Sequence, residues 1–190
     1  MPFQVPLIIA VMSAFLFTMI AALVAGLGAR DQMLVAELSA RRGSGLGVLV
    51  TALAVAVLSA GIAGWVGALV APQMTPRARS FLVAMALGLA ALELILLRPR
   101  RPAAEPTESL GALAVVLLAH EVTDAARLLV FALAAASAVP AFAIAGGVAG
   151  CAASVVLGWA TGDVLLRLPL GWLRAGFGAV LALVALYLVA

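Results

Sequence analysis

The stretch "LLAHEVTDAARLLVF", residues 117–131, places several charged residues within an apolar run. It is apolar at both ends, yet its centre carries His120, Glu121, Asp124 and Arg127 within eight residues. On insertion scales, each charge at the centre of a bilayer costs about 2.5–3.5 kcal/mol. A segment that carries such residues within an apolar run must turn their side chains toward protein or water.

The rest of the chain has the composition of an integral membrane protein. Of its 190 residues, 66% are hydrophobic and 10% are charged, whereas soluble domains carry about 25% charged residues. All 11 basic residues are arginines, and the net charge is +3. Most of these arginines cluster in short segments between apolar spans, as membrane topology requires. We therefore expect membrane lipids as partners and no nucleic acid, and we interpret the lone Cys151 as a small buried hydrophobe.

The apolar runs predict six membrane spans, because a helix needs about 20 mainly apolar residues to cross the hydrocarbon layer. The predicted spans are 12–40, 45–71, 79–97, 110–136, 140–162 and 170–189. The stretch "RPRRPAAEPTES", 98–109, is expected to be an aqueous linker. It divides a single membrane domain, 1–190, into a first repeat of about 1–97 and a second of about 110–190.

The distribution of arginines predicts the orientation. Only Arg77 and Arg79 follow the even-numbered spans, and a larger group follows spans one, three and five: Arg41, Arg42, Arg98, Arg100, Arg101, Arg167 and Arg174. The positive-inside rule places this larger group in the cytoplasm. Both termini are then outside, and the expected location is a bacterial inner membrane.

The two halves of the chain resemble each other when one is shifted by about 95 residues. The matching pairs are "QMLVAELSA" (32–40) with "RLLVFALAA" (127–135), "AGWVGALV" (63–70) with "LGWATGDV" (157–164), and Arg79 with Arg174. Each half has three spans, an odd number, so the second half enters the membrane from the opposite side. The sequence thus predicts an all-α membrane protein of six transmembrane helices in two inverted three-helix repeats, with a site at their interface.

On one continuous helix, His120, Asp124 and Arg127 would share a face, with Glu121 and Thr123 on its flanks. Two carboxylates one turn apart form a hard-oxygen site of the kind that calcium, magnesium and manganese prefer. Like charges this close also favour proton uptake. The alternative is self-neutralisation, in which the arginine pairs with both acids and nothing binds.

Two short segments resemble the Gdt family of small cation transporters, whose halves each carry a motif close to E-x-G-D-[KR]-[ST]-Q. "EVTDAAR", 121–127, matches the two acids of the motif with Glu121 and Asp124, and has Thr123 in place of the glycine and Arg127 in place of the glutamine. In size, six spans and two halves, the whole chain is similar to this family, which belongs to the LysE-type transporter superfamily.

The first motif, "GLGARDQ" at 26–32, is degenerate. Its glycine, basic residue and glutamine are matched by Gly28, Arg30 and Gln32. Both acids are missing, because Gly26 and Ala29 stand in their places, and the added acid Asp31 lies two positions further on.

The resemblance implies a calcium or manganese exchanger coupled to protons. It implies a cation- and proton-binding set of Glu121, Asp124, Asp31 and Gln32, with the first two as metal ligands, and a modulating set of Arg127, His120, Thr123 and Arg30. It implies no cofactor beyond the transported calcium or manganese. Arg127 can occupy the place of a cation, so we expect weak or no divalent binding in the wild-type chain.

Other functions stay open. A non-transporting membrane paralogue or subunit would have the same fold, and an exporter of small metabolites would suit an arginine beside acids, since a zwitterion carries both charges. An intramembrane enzyme is not expected, because His120 is the single histidine and the sequence has neither Gly-x-Ser-x-Gly nor His-Glu-x-x-His. Glu93 is expected to reach toward the membrane surface, and the sequence leaves a homodimer open.

Overall fold

The computed structural model describes residues 4–42, 45–96, 109–122 and 124–190, and the regular structure within these ranges is entirely helical. The helices are α1 (Gln4–Gly26), α2 (Arg30–Arg42), α3 (Leu46–Val70), α4 (Pro76–Leu96), α5 (Leu110–Glu121), α6 (Ala125–Ala136), α7 (Pro140–Thr161), α8 (Asp163–Arg167) and α9 (Gly171–Val189). A 3-10 turn, Ala71–Gln73, follows α3. This confirms the all-α fold class.

Five helices in the described ranges are long and apolar enough to cross a membrane. They comprise Leu7–Gly26, Leu46–Gln73, Pro76–Leu96, Pro140–Thr161 and Gly171–Val189. Their outer faces carry large apolar side chains, such as Phe17, Trp65 and Leu186, that are more than half exposed. A surface of this kind needs lipid around it, which agrees with an integral membrane protein.

Four predicted spans coincide with helices of this kind, whereas the first and the fourth are wrong as continuous helices. The predicted 12–40 is interrupted at 27–29, and the predicted 110–136 is interrupted at 122–124. The two pieces of the second interrupted segment, α5 and α6, have 12 residues each, about 18 Å at 1.5 Å per residue. Either piece alone is therefore too short to cross the hydrocarbon layer.

The first break depends on a glycine. Gly28 has φ +69°, a left-handed conformation that costs other residues roughly 1–2 kcal/mol. Its amide donates a hydrogen bond of 2.7 Å to the side-chain oxygen of Gln32, so the side chain of the next helix closes the turn. Periodicity could not reveal this, because the apolar pattern continues through the break.

The second break depends on a helix cap. Asp124 has an extended backbone (φ −73°, ψ 139°), and its carboxylate accepts a hydrogen bond from the amide of Ala126. Aspartate is among the preferred residues at this position, because its side chain satisfies an amide that the first turn leaves without a partner. Asp124 therefore begins α6 instead of lying within a longer helix.

Each interrupted segment packs against a long helix of the other half of the chain. α1 and α2 lie along α7, whereas α5 and α6 lie along α3, and α4 packs on both α6 and α9. The contacts are close because glycine occurs where backbones meet: a Cβ on Gly67 would collide with the carbonyl of Phe131, and one on Gly146 with that of Phe15. Small residues at such contacts are typical of membrane helices.

The predicted aqueous linker 98–109 lies, except for Ser109, outside the described residues. The short helix α8 follows the positive-φ residue Gly162 and was not predicted from the sequence. The main feature of the fold is that both helix breaks lie within one apolar bundle.

Candidate functional site: a buried carboxylate–guanidinium cluster

The ends of the interrupted helices meet around one arginine. Arg127, in the first turn of α6, lies 2.9 Å from Asp124, 3.2 Å from Asp31 and 2.5 Å from Glu121, measured between guanidinium nitrogens and carboxylate oxygens. Glu121 is the last residue of α5, and Asp31 lies in the first turn of α2. The contact between Asp31 and Arg127 brings segments 26–32 and 121–127 together.

This carboxylate cluster, defined as Asp31, Glu121, Asp124 and Arg127, is buried. No side chain in it is more than 7% exposed. With every group ionised, three carboxylates against one guanidinium leave two formal negative charges. Uncompensated charge costs several kcal/mol per ion in a low-dielectric interior, so the cluster requires further positive charge, from protons, a cation or helix dipoles.

Helix dipoles supply part of this compensation. Asp31 accepts a hydrogen bond of 2.8 Å from the amide of Gln32, and Asp124 accepts one of 3.1 Å from the amide of Ala126. Both carboxylates thus lie at helix N-termini, where the partial positive charge of the backbone favours an anion by about 0.3–2 kcal/mol. Glu121 lies instead at the C-terminal end of α5, where the dipole has the opposite sign.

Glu121 also has an unsatisfied oxygen. Its Oε1 faces Arg127, whereas Oε2 is buried and has no hydrogen-bond donor among the described residues. The neighbouring hydroxyl of Ser59, on α3, accepts a 3.2 Å hydrogen bond from Nε of Arg127 and donates to the carbonyl of Ala56. A fully buried carboxylate oxygen without a donor is uncommon, and here it adjoins the charge deficit.

Gln32, predicted to bind a cation or proton, has a structural role in this arrangement. Its Oε1 accepts from the amide of Gly28, and its Nε2 donates to the carbonyl of Ser154 on α7 at 2.9 Å. The side chain is fully buried, and both ends of its amide are bonded to backbone. It fixes the first break rather than facing the carboxylate cluster.

The remaining predicted residues are less buried than the carboxylate cluster or lie outside the described residues. Arg30 is exposed at the start of α2, His120 is half-buried in the last turn of α5, and Thr123 lies outside the described residues. Glu37 forms an ion pair with Arg41, whose side chain is 71% exposed. This pair lies on α2, outside the carboxylate cluster.

The prediction of one continuous polar helix face through His120, Asp124 and Arg127 is wrong, because the helix is interrupted between Glu121 and Ala125. Asp124 and Arg127 still meet, since a cap residue and the third residue of the helix lie within one turn. Glu121 reaches the same guanidinium from the end of the preceding helix. The polar groups converge through two helix termini and not along one stripe.

Two further charges were assigned wrongly from the sequence. Glu93 does not extend to the membrane surface: its side chain is 10% exposed and lies 2.9 Å from Arg174. Arg174 is 2% exposed and belongs to the protein interior rather than to a cytoplasmic loop. Arg79, its predicted counterpart in the first half, is exposed. Six arginines therefore remain on the predicted cytoplasmic side against two.

Ser59 and Ser154, which contact Arg127 and Gln32, were not predicted from the sequence. A signal for both exists, because they are related by the same shift of 95 residues that relates Gln32 to Arg127. Cys151 agrees with its prediction and is buried as a free thiol. No local sequence pattern predicts the burial of Glu93, because its partners come from α6 and α9.

Hard-oxygen donors for a metal are present in the cluster as Asp31, Glu121 and Asp124, but each has an oxygen engaged by Arg127. In the described part of the chain, no three His, Cys, Asp or Glu side chains form a group that could hold a metal ion as they stand. A cation that used these oxygens would compete with the guanidinium for them.

A cavity of about 410 Å³ opens between α1, the C-terminal end of α6 and the start of α7. Its walls are mainly apolar, with hydroxyl groups from Ser13, Thr18 and Ser137. It borders the middle of α1 and the end of α6 that is remote from the second break.

Comparison with known proteins found no matching family model, no matching curated protein and no matching solved structure. The resemblance to the Gdt family accordingly rests on the residues of its two motifs and stays a prediction.

Proposed function

We propose that this chain is a small secondary transporter that exchanges a divalent cation, calcium or manganese, for protons. The observation that carries the proposal is the convergence of two interrupted helices on a buried cluster with more carboxylates than guanidinium groups. Non-helical backbone at membrane depth is tolerated only where protein or a water-filled cavity surrounds it. In transporters, such breaks form the binding site.

We further propose that the fold consists of six spans in two inverted repeats. In this arrangement α1 and α2 together form span one, and α5 and α6 together form span four. The proposal is supported by the breaks themselves, because a shift of 95 residues superimposes Gln32 on Arg127 and Ser59 on Ser154 in the sequence. It is also supported by the packing of each interrupted segment on a long helix of the other half.

Charge balance supports a cation as the substrate. The cluster lacks two positive charges when its acids are ionised, and one divalent ion or two protons would supply them. An exchanger needs such alternative occupants of one set of oxygens, because each must leave before the other binds. The unsatisfied Oε2 of Glu121 offers an oxygen that Arg127 does not use.

Arg127 is the departure from the Gdt pattern, and in this proposal it is a tethered competitor of the cation. It occupies one oxygen of each acid and keeps its charge at working pH. We therefore expect weak divalent binding in the wild type. The same contacts favour a second candidate, a non-transporting membrane paralogue in which the guanidinium permanently stabilises the acids.

The proposed location is a bacterial inner membrane with both termini outside, from the six arginines against two that remain once Arg174 is removed from the count. A cysteine introduced at Glu105, in a Cys151→Ala background, tests the orientation. Labelling by an impermeant reagent should require permeabilised cells. Labelling in intact cells would reverse the proposed orientation.

Flux in proteoliposomes tests the function. Purified protein is reconstituted with a pH-sensitive dye inside, and calcium or manganese is added outside. Exchange predicts cation-dependent proton efflux that is lost in Glu121→Gln and retained in the matched control Glu37→Gln, which changes a glutamate outside the carboxylate cluster. A folded wild-type protein that moves neither ion would favour the paralogue, and uptake of a labelled amino acid instead would favour a metabolite exporter.

A further inference from the structure

A second buried ion pair connects the two helix breaks. Arg174, on α9, donates from Nη1 to the carbonyls of Ala25 at 3.3 Å and Leu27 at 3.2 Å, which lie at the C-terminal end of α1. Its Nη2 donates to Oε1 of Glu93, on α4, at 2.9 Å. Oε2 of Glu93 accepts from the amide of Ala125, at the start of α6, at 3.1 Å. A continuous series of hydrogen bonds therefore joins the end of α1 to the beginning of α6.

The sign of each charge matches the helix end that it contacts. The last carbonyls of a helix carry partial negative charge, and at the end of α1 they receive a guanidinium. The first amides carry partial positive charge, and at the start of α6 one of them receives a carboxylate. An ion pair that only had to be neutral would have no such directional requirement.

The helices that carry the pair pack closely on each other, and α4 also packs on α6. The α4–α9 unit therefore has contacts with both interrupted segments through one pair of side chains. The separation between the two breaks determines whether Asp31 of one segment can reach the same guanidinium as Glu121 and Asp124 of the other.

We propose that Glu93 and Arg174 are positioning residues of the transport site: they anchor the end of α1 and the start of α6 to the α4–α9 unit and so set the geometry of the carboxylate cluster. The link to transport rests on the proposed function, whereas the anchoring of the helix ends does not. Neither residue contacts the cation in this proposal.

Exchanging the two charges tests the anchoring. Glu93→Arg with Arg174→Glu retains an ion pair but places each charge at the wrong helix end. We expect thermal unfolding in detergent to shift downward by about 10 °C or more, comparable to the loss of a buried ion pair. The matched control, Glu37→Arg with Arg41→Glu, should remain close to the wild type. A buried exchange variant as stable as the wild type would overturn the anchoring.

A second set of variants applies even when the exchanged protein does not fold. Arg174→Lys keeps a positive charge near the carbonyls of α1 and should be clearly more stable than Arg174→Gln. Equal stability of these two variants would show that the charge does not anchor the helix, and would also overturn the proposal.

The positioning role is tested by flux of calcium or manganese in the double variant Glu93→Gln/Arg174→Gln, in which both side chains can still form hydrogen bonds. Its KM for the cation should rise by about tenfold, because small displacements of binding groups are costly, even where stability is largely retained. An unchanged KM would reduce the pair to a stabilising role. If the wild type shows no flux while the stability order holds, the proposed function fails and the anchoring stands.

Discussion

The two helix breaks lie at equivalent positions of the two halves but differ in backbone geometry and in chemistry. At the first break, Gly28 turns the chain, and the neutral amide of Gln32 bonds to Gly28 and to the carbonyl of Ser154. At the second, Asp124 caps the new helix, and the guanidinium of Arg127 bonds to the hydroxyl of Ser59 and to three carboxylates. At equivalent positions of the two halves, the first break thus has a neutral side chain, Gln32, and the second a charged one, Arg127.

The comparison shows where the charges of a symmetric arrangement are missing and what has replaced them. Gly26 and Ala29 occupy the positions that correspond to Glu121 and Asp124 under the shift of 95 residues. The first segment contributes Asp31 instead, which crosses to the guanidinium of the second. The carboxylate cluster at the second break, including Asp31, is therefore expected to respond to cations, whereas the turn at Gly28 is expected to respond mainly to packing.

The largest expected effect is that of Arg127→Gln, which makes the second break resemble the first. Removing the guanidinium leaves three buried carboxylates without their common partner, so the free energy of unfolding should fall by about 3–5 kcal/mol in metal-free buffer. Calcium or manganese should restore it, because a divalent ion can then take the vacated oxygens. Thermal unfolding in detergent across a metal titration measures both effects.

The matched variant at the first break is Gln32→Ala. It removes two neutral hydrogen bonds, so we expect the free energy of unfolding to fall by about 1–3 kcal/mol, with no response to metal.

One outcome would contradict the interpretation of Arg127 as a competitor of the cation. If micromolar metal stabilises the wild type strongly and Arg127→Gln not at all, then Arg127 supports binding.

The next prediction concerns why the first break has Gly26 where the second has Glu121. A Cβ on Gly26 would lie 2.6 Å from the hydroxyl oxygen of Ser154, so Gly26→Ala should cost about 1–3 kcal/mol through overpacking. In a Ser154→Gly background the same change should cost much less, while the backbone carbonyl that receives Gln32 is kept. Gly88→Ala, where a Cβ meets nothing within 4 Å, is the control. Equal losses in both backgrounds, measured by thermal unfolding, would exclude steric crowding as the cause.

Much of this fold could be predicted from hydropathy and proline positions, but the breaks could not. Four spans agree with the helices to within a few residues because apolar length and Pro140 determine them locally. The break at Gly28 depends on a left-handed backbone that many glycines could adopt. The break at Asp124 depends on a helix cap. The same sequence is equally compatible with a charged residue within one longer helix.

The candidate site, like the fold, could be predicted from the sequence only in part. Glu121, Asp124, Arg127 and Asp31 were identified because charge is rare in such a chain, and rarity is visible in the sequence. Glu93 and Arg174 were misassigned because each lies near a span boundary, where contact with water explains a charge equally well. Their burial follows from the packing of α4 on α6 and α9, which no local pattern encodes.

A smaller effect separates the two roles of Asp124, as a cap and as a charge. Asp124→Ala removes the cap of α6 and should cost about 1 kcal/mol relative to Asp124→Asn, since asparagine caps as well as aspartate. The Asn variant also removes one of the excess negative charges, so it should be as stable as the wild type or more stable. Chemical or thermal unfolding of the two variants compares them directly. An Asn variant as unstable as the Ala variant would mean that the charge, and not the cap, holds the second break.

The smallest effect is expected at Glu37, the other acid of the first interrupted segment. Its partner Arg41 is mostly exposed, and such i, i+4 pairs contribute about 0.3–0.5 kcal/mol because solvent and salt screen them. Glu37→Gln should therefore change the unfolding midpoint by a degree or so, and the difference should vanish in high salt. Asp31→Asn, on the same helix, removes a buried charge and should instead alter the response of the protein to metal. If Glu37→Gln altered that response too, the charged part of the site would extend along α2, and the first segment would contribute more than Asp31 alone.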